Sequence, residues 1–138
     1  IAVAWRLANA LGVTIGELLA SEARPAETVQ VLDAHELPTL PGDHAGYVLR
    51  ILGPMELAGN FEWYELTLTP NGVLASSPHD PGASEHLTLL HGAMEVEVDG
   101  EVKKLKIGAT ARYPADRSHS IRNTGKTEAR ALLVVTHR

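Results

Sequence analysis

The chain has 138 residues, the size of one ordinary domain with a single sizeable core, and its 44% apolar and 21% charged residues describe a globular protein rather than a disordered one. A net charge of −5 argues against nucleic acid as a direct partner of this segment, because phosphate binding needs a surplus of Lys and Arg. The absence of cysteine excludes disulfide staples and thiolate metal sites, which leaves His, Asp and Glu as the available ligands. No apolar run approaches the roughly 20 residues that a membrane span needs. Arg6 and Asn9 also interrupt the apolar start where a signal peptide would be unbroken, so a cytoplasmic location without a membrane partner is expected.

Residues 1–20 start without methionine and in mid-pattern, and are expected to close a unit that begins upstream. Two helices are predicted there. Trp5, Ala8 and Leu11, with Ala4 and Leu7, form one apolar helical face, and Gly12 stands where a left-handed C-cap ends it. Thr14 opens the second helix, with Glu17 placed to complete a capping box and Val13 and Leu18 a hydrophobic staple.

Residues 21–28 are polar and contain Pro25, which reads as an exposed linker. Val29–Leu32 is a candidate first strand, Pro38–Asp43 reads as a loop, and Tyr47–Leu52 as a second strand ended by Gly53-Pro54. In Phe61–Thr69 the residues Tyr64, Leu66 and Leu68 share one face and Trp63, Glu65 and Thr67 the other, the alternation of a half-buried strand. Pro70-Asn71-Gly72 supplies a turn. Met94–Val98 alternates strictly between apolar and charged residues and ends in Asp99-Gly100, a hairpin signal. Ala129–Thr136 is unbroken enough for a buried strand.

Two blocks of polar residues bracket that hairpin. The first is His79-x-x-Gly82-x-x-Glu85 followed by six residues and Gly92; the second is Gly108-x5-Pro114-x-Asp116-x-x-His119-x3-Asn123. Together they resemble the two motifs of the cupin family. In the usual first motif, G-x5-H-x-H-x3,4-E-x6-G, His79, Glu85 and Gly92 fall in register while Pro81 replaces the second histidine. In the second, Gly108, Pro114, His119 and Asn123 keep the spacing, with Ala109 in place of the usual Asp and Asp116 in place of a glycine.

The resemblance implies a mainly β fold, a cupin-type small antiparallel β-barrel (double-stranded β-helix or jelly roll), here preceded by two short α-helices. Leu7, Ala8, Ala10, Leu11, Gly12, Val13, Glu17, Leu18 and Leu19 in turn resemble the closing segment "L-x-x-I-A-x-A-L-G-V-x-x-x-E-L-L" of the lambda-repressor-like, Xre-type helix-turn-helix domain. An ordinary helical hairpin packed on the barrel is the competing reading. The expected organisation is a helix-turn-helix remnant over 1–21, a linker and first strand over 22–45, and a cupin barrel over 46–138.

His79, Glu85 and His119 supply two imidazoles and a carboxylate, a ligand set compatible with one divalent metal, whether zinc, iron, nickel or manganese. The alternative is that a cupin lacking one histidine binds no metal and keeps these groups to hydrogen-bond a small molecule. His86 should point to the opposite face from Glu85, and His91 is an outside candidate for the missing ligand. His35, His44 and His137 are assigned to the surface. By strand parity Leu87, Leu89, Met94, Val96 and Val98 line the interior, with Tyr64 or Trp63 facing the cavity, so a ligand is expected near His79, Glu85, His119, Tyr64 and Leu89. No nucleophile or phosphate-binding glycine loop is evident, and no catalytic residue is assigned.

The paired resemblances imply a homodimeric bacterial transcriptional regulator. Its cupin domain senses a small-molecule effector, and it contacts DNA only through the upstream helix-turn-helix. The alternative is a metal-dependent cupin enzyme, a dioxygenase or isomerase.

Overall fold

The structure, a computed structural model, describes residues 28–42 and 44–137. Its strands are β1 (Thr39–Gly42), β2 (Tyr47–Ile51), β3 (Phe61–Leu68), β4 (Val73–Ser76), β5 (Ser84–His91), β6 (Met94–Val98), β7 (Glu101–Leu105), β8 (Thr110–Pro114), β9 (His119–Asn123) and β10 (Ala129–Thr136). They form two sheets, one of six strands in the order β1-β2-β3-β10-β5-β8 and one of four in the order β4-β9-β6-β7. All neighbouring strands run antiparallel.

The alternation read from the sequence decides which face each strand buries. In β3, Tyr64, Leu66 and Leu68 are buried while Trp63, Glu65 and Thr67 are only half covered. Leu87 and Leu89 of β5 and Met94 and Val96 of β6 meet them in one core between the sheets, with Val98 packed at its edge. Leu66, Leu68, Leu87, Leu89 and Met94 have no exposed surface, so each contributes about 1.5–3 kcal/mol of burial free energy. The β6–β7 hairpin forms as expected, with Asp99 at φ 49° and Gly100 at φ 84°, the left-handed pair that a two-residue type I′ turn requires. Asn71 takes φ 65° in the turn before β4.

Three expectations need correction or limitation. Val29–Leu32 forms no strand, and Val29 and Val31 are each 74% exposed. The first strand is instead β1, inside the stretch read as a loop: Leu40 packs on the core, and Pro41 is tolerated because β1 is a sheet edge with one neighbour. The helical elements among the described residues are two short 3₁₀ turns, Ala34–Glu36 and Met55–Leu57. The two α-helices expected within residues 1–20 lie outside the described residues, so the mainly β, antiparallel part of the expected fold is what the structure shows.

Asn123 explains why the second motif keeps its last residue. Its buried amide donates to the carbonyls of Leu68, Thr69 and Thr127, and its carbonyl accepts from the Gly125 N–H. One side chain thereby satisfies backbone groups at three places where strands end.

Candidate metal and ligand centre

The six-stranded sheet sets Glu62, Val135, Glu85 and Tyr113 side by side across β3, β10, β5 and β8. All four side chains point into the space between the sheets, and all are buried. His119, at the start of β9, comes from the opposite sheet, and His79 from the loop between β4 and β5. That loop is tied to the second motif by backbone bonds: His79 N–H donates to the Ala115 carbonyl at 2.8 Å and Ala115 N–H to that of Ala83 at 2.8 Å. Asp116 adds a side-chain bond, its carboxylate accepting from Gly82 N–H at 3.2 Å. That bond, followed by the one from Arg117, holds the Asp116 carboxyl below its ordinary range. The residue that replaces a glycine in the second motif therefore fastens one motif loop to the other.

These restraints bring His79, Glu85 and His119 together. One carboxylate oxygen of Glu85, Oε2, lies 2.9 Å from Nε2 of His79 and 2.9 Å from Nε2 of His119. The other, Oε1, accepts from the Tyr113 hydroxyl at 2.7 Å. The side chains of His79, Glu85 and His119 are 8%, 4% and 1% exposed, so solvent screens these interactions little. Burial by itself would raise the Glu85 carboxyl. The hydrogen bonds from His119 and His79, the His119 charge and the Tyr113 hydroxyl outweigh it and hold the group at about 2. Burial first, then the Glu85 charge and hydrogen bond, push the Tyr113 phenol well above its ordinary value, so it remains a donor.

The donor set fits a divalent cation. Nδ1 of His119 lies 2.7 Å from the Arg117 carbonyl, which only accepts, so Nδ1 carries a proton and Nε2 is the atom aimed at Glu85. A backbone carbonyl on the far nitrogen is the usual way a histidine ligand is oriented. Without a cation, a proton has to lie between Nε2 and the carboxylate; with one, the same atoms would be the ones to hold it. The ligand atoms of these three residues already lie within 4.8 Å of one another.

The other residues singled out from the sequence fall elsewhere. Tyr64 faces inward, but its hydroxyl donates to Glu62 at 2.6 Å rather than to the Glu85 cluster, and Leu89 is fully buried core two rungs further along β5. Pro81 and His91 are exposed, so neither supplies a further ligand here, and His86 is half-buried on the face opposite Glu85. His35 and His44 are exposed. His137 overturns its surface assignment: its side chain is 5% exposed and its Nε2 lies 2.5 Å from Glu62. Sequence reasoning missed Tyr113, Glu62 and His137, although Glu62 shares the parity of the buried residues of β3, Tyr113 that of the half-buried Ala111 in β8, and His137, one residue past β10, that of the buried residues of β10.

This is the interior of a small cupin barrel with a two-histidine, one-carboxylate centre. The sequence profile of the Cupin_2 family, a cupin domain, matches residues 64–135, and the chain belongs to that family. It is 26% identical over 126 residues, 91% of the chain, to the HTH-type transcriptional regulator SutR of Escherichia coli (strain K12). It is 29% identical over 104 residues, 75% of the chain, to the polyketide synthase CurC of Streptomyces cyaneus. The chain spans 65% and 66% of the lengths of these two curated relatives. A crystal structure of the Cupin_2 domain of an XRE family transcriptional regulator from Enterobacter cloacae superposes with a TM-score of 0.63 at 25% identity, covering 67% of this chain and 98% of that one.

Proposed function

We propose that this chain is the effector-sensing cupin domain of a cytoplasmic, homodimeric XRE-type transcriptional regulator. Residues 1–21 then close its helix-turn-helix, 22–45 form the linker and first strand, and 46–138 the barrel. The observation that carries the reading is the convergence of His79, Glu85 and His119 inside the barrel of a chain whose relatives include XRE and HTH-type regulators. His79 and His119 through Nε2 and Glu85 through its carboxylate would hold one divalent metal, which would supply a Lewis-acidic anchor for a polar or carboxylate effector. Tyr113 fixes the carboxylate from behind. An effector that prefers one arrangement of the barrel shifts the equilibrium of the attached DNA-binding unit by its difference in affinity for the two states.

The test compares this chain with one extended N-terminally by about one small domain, in a mobility-shift assay on operator DNA. The extended protein is expected to bind sequence-specifically and this chain negligibly, in keeping with its net charge of −5. Tight, sequence-specific binding by this chain alone would overturn the reading of residues 1–21. The likeness to CurC, whose name is that of a polyketide synthase, favours a second reading, an enzyme, and a metal held by His79, Glu85 and His119 would make it a metal-dependent one, a dioxygenase or isomerase. Multiple turnovers of a ligand that leaves the DNA affinity of the extended protein unchanged would establish that reading instead.

A further inference from the structure

The two sheets part along one side, where β8 is the edge of the six-stranded sheet and β7 the edge of the four-stranded one. A cavity of about 420 Å³ opens there, within the range of roughly 300–1,000 Å³ typical of small-molecule sites. Its floor is apolar, made by Val96 and Val98 of β6 and Ala111 and Tyr113 of β8. Its rim is charged. Lys103 stands on the same face of β7 as the inward-facing side chains, and Arg112, on the outer face of the edge strand β8, reaches the rim from the other side. Arg117 completes the basic groups, against Asp99 and Glu101.

The charges are not used equally. Arg117 is paired with Asp99 at 3.7 Å and Asp116 at 3.2 Å, whereas Lys103, Arg112 and the single acid Glu101 form no ion pair among the described residues, which leaves the unpaired rim groups with a surplus of one positive charge. Two unpaired cations over an apolar floor, in a chain whose net charge is −5, form a site complementary to an organic anion. We propose that the cleft between β7 and β8 binds a small organic carboxylate, its carboxylate on Lys103 and Arg112 and its apolar body on Val96, Val98, Ala111 and the Tyr113 ring.

Tyr113 is the wall between this cleft and the metal-type centre. Its ring lines the cleft, and its hydroxyl holds Glu85 Oε1 at 2.7 Å. A ligand that packs on the ring therefore acts on the orientation of Glu85 without touching His79 or His119. The inference rests on the reading of this domain as an effector-binding cupin, and it adds a second seat for a carboxylate beside the metal-type centre.

Isothermal titration of this chain with benzoate, phenylacetate and hexanoate, each against its neutral amide, tests the site. The carboxylates are expected to bind and the amides to bind roughly ten- to a hundredfold more weakly, the range of a lost charge-assisted contact. The double variant K103E/R112E, changed only at exposed positions, is expected to lose a comparable factor for the carboxylates and to keep its melting temperature. Two-dimensional NMR is expected to shift the Val96 and Val98 methyl signals on addition of the bound probe. Absence of binding by all three carboxylates overturns the inference, as does binding that ignores K103E/R112E but vanishes in His79→Ala. The regulatory reading fails separately. If a carboxylate seated in the cleft leaves the operator affinity of the N-terminally extended protein unchanged, the site stands and its regulatory role falls. If operator affinity responds to a compound indifferent to K103E/R112E, the reverse holds.

Discussion

Two imidazole nitrogens 2.9 Å from one carboxylate oxygen make His79, Glu85 and His119 interdependent, because each side chain fills space and charge that the others require. Removing a ligand from a set of three is expected to abolish stoichiometric zinc or iron, so elemental analysis of Glu85→Gln and His119→Ala should show metal near background. His86→Ala is the control that should retain it, since His86 lies on the opposite face of β5. Full metal in His119→Ala would refute the assignment of the second motif. Glu62 and His137 require a different experiment. Their side chains are 4% and 5% exposed, Glu62 also accepts from Tyr64, and Nδ1 of His137 is buried without a hydrogen-bond partner among the described residues. His137→Ala leaves a buried carboxylate with one partner fewer and is expected to cost about 1–3 kcal/mol in urea unfolding. In a double-mutant cycle with Glu62→Gln the double variant should lose clearly less than the sum of the two single losses; additivity would mean that the pair is not formed.

At the scale of elements, two glycines of similar backbone conformation separate strain from crowding. Gly100 has φ +84° and open space where a Cβ would sit, whereas Gly92 has φ +82° and a Cβ there would come within 2.8 Å of Ala129 Cα and Cβ. Gly100→Ala is expected to cost about 1–2 kcal/mol, the left-handed penalty alone. Gly92→Ala should cost clearly more, because β10 would have to move away from the bend that follows β5. Chemical denaturation of the two variants measures the difference, and equal losses would show that β10 yields freely at this point. The glycine that closes the first motif is thus needed for the approach of β10 as well as for the bend.

For the whole molecule, the centre joins groups contributed by both sheets, so occupying it should stabilise the entire fold rather than one loop. A cation that binds the native chain and not the unfolded one adds about 2.7 kcal/mol at a concentration one hundred times its dissociation constant. Zinc or manganese is expected to raise the melting temperature of the wild-type chain by several degrees, EDTA to reverse the rise, and His119→Ala to show neither effect. A rise of equal size in His119→Ala would place the bound ion elsewhere.

Much of this is legible in the sequence alone. The period-two alternation in β3 and β6, the Asp99-Gly100 turn and the spacing of the two motifs specify strands, a hairpin and the residues that point inward, because side-chain direction along a strand is a local property. The same parity places Glu62, Tyr113 and His137 inward, a polar signal on buried faces that is easily passed over when apolar residues are being sought. Local pattern does not say which strands become neighbours. Only the tertiary structure sets β10 between β3 and β5, lining up Glu62, Val135, Glu85 and Tyr113, and only it recruits Thr39–Gly42 as an edge strand in place of the more apolar Val29–Leu32. The same holds for the meeting of His79 and His119 at one oxygen and for the cleft between β7 and β8. Strand neighbours and the gaps between sheets are decided by how the whole chain buries its apolar faces at once, a condition that no short stretch of sequence contains.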